Sequence, residues 1–390
     1  MNILFLSREY PPLVNGGVGT YVHEMSRLLT KAGHGAFVIS ESPGMPQRNI
    51  EEGVHVWRIK PTRNPWLRLA QPHVPGFIQR LEYSKSASQA MREIMREHRI
   101  DLVESCEARA EGFWYYLTHR NPPLVIKLHT PERLVYKLNH DPESLDRRWI
   151  ECLEEWWIKR AGQLTGLSQA IVQQTRQDYG LDGKQIPVVG NPIDSELFHP
   201  GQIKRDAQKT VLYAGRLELR KGVHVLLRAI PLVLAQIPEA KFLFIGADCG
   251  MKKLLGQKID EWGISKSVEL IDQVPRKDLV GYYQEAGLCV VPSLWENHPY
   301  AVLEAMACGK AVVASAIGGI TEIIQDNQNG LLVPAGSHMR LAESIVSLLR
   351  DSILCQRIGQ NACRHIEEAY APQRLLNTNL KIYNEAIGRV

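Results

Sequence analysis

Short apolar runs alternate with segments of helical period along almost the whole chain. NILFLS (2–7) reads as a buried strand and runs into a long loop, REYPPLVNGG. Residues 18–32 then set Val22, Met25, Leu28 and Leu29 on one stripe, which predicts a helix closed by Gly33. GAFVIS (35–40), DLVES (101–105) and PLVIKLH (123–129) follow as buried strands, with amphipathic stretches between them. Strand, helix, strand in alternation predicts a parallel sheet with helices on both faces.

The pattern restarts after a polar, proline-flanked segment, FHPGQIKRDAQK (198–209). TVLYAG opens the second half, followed by a helix near 222–237, the strands KFLFIG and SVELI, a helix near 278–285 and the strand LCVVP. KAVVAS and GLLVP are the last strands, and the final fifty residues read as entirely helical. A chain of 390 residues is too long for one ordinary core. The expected fold is therefore α/β: two doubly wound Rossmann-like domains, residues 1–197 and 198–372, facing across a cleft. The terminal helix, 373–390, is expected to cross back onto the first domain. Ligands of open parallel sheets bind beyond the carboxyl ends of the strands, so the cleft and its strand-following loops are where a site is expected.

Composition narrows the class. The hydrophobic fraction of 44% and charged fraction of 23% are those of a soluble globular protein. No apolar run reaches the roughly 18–20 residues that span a bilayer. MNILFLS lacks the basic region and cleavage site of a signal peptide and leads into REY, so a place inside the cell is expected. Seven cysteines without a C-x-x-C pair argue against a disulfide framework or a zinc site and read as small reduced core residues. A net charge of +4 does not point to nucleic acid. Its distribution is uneven: between Arg58 and Arg99, nine Lys/Arg stand against three Glu, beside Trp57 and Trp66. That segment reads either as a solvated helix face or as a contact with anionic lipid, with Trp57 and Trp66 as interfacial anchors.

Three loops carry candidate chemistry. SREYPPLVNGGVGTY has Gly17-x-Gly19 before a helix, with Glu41 near the place of a ribose-binding acid. The glycines do not follow the strand directly and Val22 fills the third position, so a dinucleotide fingerprint is disfavoured. What is left is a glycine turn opening a helix, suited to an anion. In YAGRLELRKG, Arg216 ends a strand and Lys221 precedes a helix, with Gly215 and Gly222 keeping the backbone open. Two cations at such a loop fit a phosphate group. LWENHPYAVLEA places Glu296 on a loop, Pro299 in the first turn of a helix and Glu304 within it. Eight helical residues would span roughly 12 Å, more than the ~5–9.5 Å between glycosidase carboxylates. The two glutamates better suit hydroxyl groups at the two ends of one extended ligand with a diphosphate between.

EYPPLVNGGVGTYV, GNPID (190–194), GRLELRKG and above all the E-x7-E of ENHPYAVLEAMACGKAVVAS with its following GG resemble the family 4 retaining glycosyltransferases, the glycosyl transferases group 1 of GT-B fold. The resemblance spans nearly the whole chain. It implies a nucleotide-sugar donor bound by the second domain, with Arg216 and Lys221 on the diphosphate, Glu296 on the sugar hydroxyls and Glu304 on the ribose. It also implies that the backbone of Asn297, His298, Pro299 and Tyr300 helps hold diphosphate or sugar, and that Gly16 and Gly17 approach the phosphates from the first domain. His129, ending LVIKLH, matches the histidine beside the transferring sugar. Asn15 stands where glycogen and starch synthases carry lysine, which makes polyglucan synthesis less expected. Thr130, His298 and Tyr300 depart from the commonest residues, bearing on acceptor and sugar identity.

With no Asp-x-Asp at a strand end, two cations and helix amides are expected to replace a metal in stabilising the departing diphosphate. No cofactor beyond the substrate is expected. UDP-sugar is the first choice of donor by association with the family and GDP-sugar the next, with the hydroxyl acceptor unspecified. A sugar-nucleotide epimerase of the same plan and a non-enzymatic nucleotide-sugar sensor are the rival readings.

Overall fold

The computed structural model describes residues 1–13, 16–69, 71–201 and 208–388. Asn15 and residues 202–207 of the polar segment lie outside the described residues. The chain divides into two compact units, residues 1–192 with 372–390, and residues 193–371.

Unit 1 is a seven-stranded sheet: β1 (Asn2–Leu6), β2 (Gly35–Glu41), β3 (Gln47–Glu51), β4 (Val54–Ile59), β5 (Leu102–Cys106), β6 (Leu124–Leu128) and β7 (Gln163–Gly166). Its order is β3-β4-β2-β1-β5-β6-β7, parallel except for the antiparallel edge pair β3 and β4. Buried Ile3–Leu6, Ala36–Ile39 and Leu124–Ile126 fill both faces of the sheet, as continuous apolar runs predict. The first helix, Gly17–Lys31, turns Met25 and Leu29 into that core. The C-terminal helix Pro372–Gly388 belongs to this unit, held by a buried polar group. Its Tyr383 hydroxyl donates to Glu104 at 2.6 Å, and Lys127 donates to Asn379 at 3.3 Å.

Unit 2 has six strands: β8 (Thr210–Ala214), β9 (Lys241–Ile245), β10 (Val268–Ile271), β11 (Leu288–Val291), β12 (Ala311–Ser315) and β13 (Leu331–Val333). All pair in parallel in the order β10-β9-β8-β11-β12-β13. The chain winds outward from β8 in one direction, then returns to start again at β11. That reversal makes the gap between β8 and β11 the topological switch point. One core of Val211, Phe242, Phe244, Val290, Val313, Ile230, Ile345 and Ile358 unites the sheet with its helices.

Several expectations change. The basic segment 58–99 is not one solvated helix face. Trp57 lies in β4 and is only 6% exposed, so it is no interfacial anchor. The β3–β4 hairpin turns it into the unit, where Phe37 packs against it and Arg48 lies over its ring. Arg58 is buried and paired with Glu51, and Arg80 with Glu132. Trp66 is 81% exposed. Of the seven cysteines, all free, Cys106, Cys289 and Cys308 are buried, whereas Cys152 and Cys249 lie on the surface. Pro299 caps the helix Tyr300–Ala307 rather than standing inside it. Among the described residues, no helix is long and apolar enough to cross a membrane.

Candidate functional site

The loops after β8 and β11 meet at the switch point of unit 2. Gly222 makes the approach possible. It sits at φ +68°, and a Cβ there would lie 1.9 Å from the Pro292 carbonyl oxygen. The Leu294 N–H donates to the Arg220 carbonyl at 2.8 Å, and an Arg220 guanidinium N–H donates to the Trp295 carbonyl at 3.4 Å. Gly246, after β9, lets the backbone pass against Gly215, where a Cβ would meet the carbonyl oxygen at 2.0 Å.

This packing brings Lys221 to Glu296, residues 75 apart in sequence: Nζ donates to Oε1 at 2.5 Å. The Ser293 hydroxyl donates to the same oxygen at 2.8 Å. Burial penalises the Glu296 carboxylate, yet Lys221, then Arg220, outweigh it and hold its pKa below the ordinary value. Burial pulls the Lys221 ammonium below its ordinary value, with Glu296 opposing. Arg216 remains 39% exposed and pairs with Glu218 at 3.1 Å, which also takes Arg220 at 2.8 Å. The result is a cluster of three cations sharing two carboxylates at the carboxyl end of the sheet. It can accept a further anion.

Glu296 does not lie on the helix, so the twelve-ångström helical spacing does not describe the pair of glutamates. The loop from Glu296 is fixed from a third side by Gly318 and Gly319. Gly319 N–H donates to the Glu296 carbonyl at 3.1 Å, and a Cβ on Gly318 would lie 2.1 Å from that oxygen. Asn297 and His298 are buried, and the His298 ring packs 5.3 Å from Tyr370. The helix Tyr300–Ala307 has no side-chain cap at its N-terminus and no acidic residue in its first turn, and the positive end of its dipole favours an anion.

Glu304 is buried in that helix and already engaged. Arg276 Nε donates to Oε1 at 2.9 Å and the Tyr283 hydroxyl to Oε2 at 3.1 Å. Burial raises its pKa, and Arg276 pulls it back in part. A ribose reaching Glu304 would have to share or displace these donors. Arg276 also lies over the rings of Phe198 and Tyr300. Arg220, Glu218, Ser293, Arg276 and Tyr283 were not singled out from the sequence. The charge alternation in RLELRKG and the Ser293 beside the strand end are the only local signals for the first three. Nothing local marks Arg276 or Tyr283.

His129, Gly16 and Gly17 lie in unit 1. His129 follows β6 directly. Its backbone N–H donates to Glu107 at 2.8 Å and its ring meets Tyr21 edge-on at 5.4 Å. Burial lifts the Glu107 carboxyl to about 7, against the backbone N–H groups that lower it. Gly16 caps the helix Gly17–Lys31 with extended backbone. The close approach falls at Gly19, where a Cβ would lie 2.8 Å from the Glu9 Cβ. Glu41 is paired with Arg8 through one carboxylate oxygen. At the unit 1 switch point, between β1 and β5, Arg109 adopts φ 71°, a strained backbone that costs roughly 1–3 kcal/mol. Among the described residues, no three His, Cys, Asp or Glu side chains form a metal-binding group.

Residues 15–197 match the family model "Glycosyltransferase Family 4", and residues 194–365 match "Glycosyl transferases group 1". A glycogen synthase of Mycobacterium tuberculosis is 25% identical over 98% of this chain and 94% of its own length. Sucrose-phosphate synthase from Thermosynechococcus elongatus superimposes with a TM-score of 0.82 at 20% identity, covering 100% of both chains. Anabaena HepE, solved in complex with UDP-glucose, does so with a TM-score of 0.73 at 20% identity, over 99% of this chain and 100% of that one. The likeness to both solved structures is one of fold.

Proposed function

Because this chain belongs to the group 1, family 4 glycosyltransferases and has their GT-B fold of two Rossmann-like domains, we propose that it transfers a hexose-type sugar from a UDP-sugar to an acceptor hydroxyl. GDP-sugar is the second choice of donor. The acceptor is a glycan, a lipid-linked glycan or a small molecule, and transfer retains the anomeric configuration without a metal. The Lys221–Glu296 pair at the unit 2 switch point, with the more exposed Arg216 in the same cluster, carries this reading.

In this mechanism, Arg216, Lys221 and the amides opening the helix Tyr300–Ala307 stabilise the negative charge that grows on the leaving diphosphate. Glu296, oriented by Lys221 and Ser293, accepts from donor-sugar hydroxyls. The bond from the anomeric carbon to the diphosphate oxygen breaks as the acceptor oxygen attacks from the same face. The acceptor proton passes to the departing phosphate oxygen. Glu304 engages the ribose, Asn297, His298, Pro299 and Tyr300 line the donor, and Gly16 and Gly17 approach the phosphates. His129 sits beside the transferring sugar and stabilises its oxocarbenium-like state. The uridine preference follows HepE, whose solved complex contains UDP-glucose. A peripheral contact with anionic membrane belongs to the same reading, now narrowed to Trp66 and Leu69, both largely exposed.

A thermal-shift panel of UDP-, GDP- and ADP-sugars with EDTA present tests the donor assignment. A ligand at 100 times its dissociation constant stabilises by about 2.7 kcal/mol, or a few degrees. A UDP-sugar shift that survives EDTA and vanishes in Lys221→Ala is expected. No shift with any nucleotide sugar would refute the reading.

A further inference from the structure

Unit 1 holds a cavity of about 610 Å³ that the donor site does not use. It lies where β2 and β4 end: Glu41 closes β2, Lys60 follows β4, and Gln79 and Glu82 line it from the helix Pro75–Glu97. Its volume falls in the roughly 300–1,000 Å³ range of small-molecule sites. Carboxyl ends of parallel strands are also where open α/β sheets take ligands. The cavity shares Glu41 and Gln79 with a smaller one of about 250 Å³ lined by Glu9 and the strained Arg109. It thus leads toward the switch point of its own sheet.

The charges that line it are unequal in their partners. Glu41 is paired with Arg8, and Glu82, 7% exposed, accepts the Asn64 N–H at 2.7 Å. Lys60 and Arg63 also line the cavity, both exposed, and neither forms an ion pair among the described residues. Two cations without counter-ions among the described residues, on a cavity whose carboxylates are engaged, fit a dianion. Arg63 offers a planar fork for two oxygens and Lys60 a point charge, the pairing that suits a phosphoryl group. Gln71 and Gln79 add amides for hydroxyl oxygens.

We infer that this cavity is the acceptor subsite and that it selects acceptors bearing a phosphate monoester, held by Lys60 and Arg63. The acceptor role rests on the glycosyltransferase reading above, whereas the anion site does not. Ligand-observed NMR with glucose 6-phosphate and with glucose, at 0.15 M salt and without donor, reads the anion site directly. Sedimentation with phosphatidate vesicles covers a lipid source of the same phosphate. Wild type is expected to bind glucose 6-phosphate or the vesicles in preference to glucose or phosphatidylcholine vesicles. Lys60→Ala and Arg63→Ala should each weaken that binding roughly tenfold. The double variant should lose it while keeping the wild-type melting point and UDP shift. Binding to neither phosphate probe, equal binding of glucose and its phosphate, or undiminished binding by the double variant overturns the inference. Phosphate binding that depends on Lys60 and Arg63, in a protein that no nucleotide sugar shifts, would leave the anion site standing and remove its acceptor role.

Discussion

The Lys221–Glu296 pair can be tested as a physical object before any substrate is known. At 2.5 Å, two unit charges attract by about 7 kcal/mol at an effective dielectric of about 20. Desolvation costs several kcal/mol per ion, so the pair's net contribution is small. Removing one partner is different, because the survivor keeps its desolvation cost and loses its attraction. Breaking a buried pair this way typically costs about 3–5 kcal/mol. Lys221 retains 20% side-chain exposure, which places the expected cost of Lys221→Met or Glu296→Gln nearer ~2–3 kcal/mol. Glutamine keeps an acceptor for the Ser293 hydroxyl, so the Glu296 variant reports chiefly the charge. The double variant leaves no lone buried charge and should cost little more than either single change. The coupling energy from a double-mutant cycle is then about 2 kcal/mol. In a domain of this size each kcal/mol moves the melting point by roughly 2–4 °C, so calorimetry resolves all three variants. Losses that add, leaving less than about 0.5 kcal/mol of coupling, would mean that the two side chains do not meet. The switch-point packing described here would then be refuted.

Gly222→Ala should be among the most damaging single-methyl changes, since the methyl meets the Pro292 carbonyl oxygen at a left-handed backbone position. A loss of roughly 2 kcal/mol or more, with at least tenfold weaker UDP-sugar binding, is expected by titration, and wild-type affinity would refute it. Buried carboxyls whose pKa values are shifted in opposite directions should respond to pH in opposite senses. In unit 1, burial lifts the Glu154 carboxyl to about 8 and Glu107 and Glu111 to about 7. The folded state therefore holds more protons than the unfolded one above the unfolded value of ~4.3. Stability falls as pH rises through that window toward 8. Glu154→Gln should flatten the fall in melting point between pH 5 and 8, and an unchanged slope would count against the buried carboxyl. In unit 2 the lowered pKa of Glu296 gives stability that is present above ~4.3 and lost as pH falls through its folded value. Glu296→Gln should reduce that acid-side loss in calorimetric scans below pH 5. His129→Ala should lower kcat by roughly 10²-fold or more while leaving the thermal shift with UDP alone intact, because UDP lacks the sugar beside which the residue is placed. Loss of the shift with unchanged kcat would contradict its role.

Much of the fold was legible locally. The runs NILFLS, GAFVIS, TVLYAG and KAVVAS are strands because uninterrupted apolar residues suit a sheet covered on both faces. Met25 and Leu29 of the first helix are buried because their spacing matches 3.6 residues per turn. The hairpin β3–β4 escaped because QRNIE is exposed on four of its five residues and gives no apolar signal. Its effect was to bury Trp57 and Arg58, which composition had assigned to a surface.

The sequence by itself determined two α/β halves, the glycine-bearing loops, and that Arg216, Lys221, Glu296 and Glu304 stand on or beside them, since period, glycine and proline act within a few residues. Only the tertiary structure decided which loops become neighbours. Strand alternation sets which face a side chain takes but not which strand lies alongside. The order β8-β11 therefore had to form before Lys221 could meet Glu296. The same non-local packing put Arg276 and Tyr283 on Glu304, and left Lys60 and Arg63 on a cavity without counter-ions among the described residues. Charge partners across tens of residues are chosen by strand pairing and burial, and no local pattern carries that information.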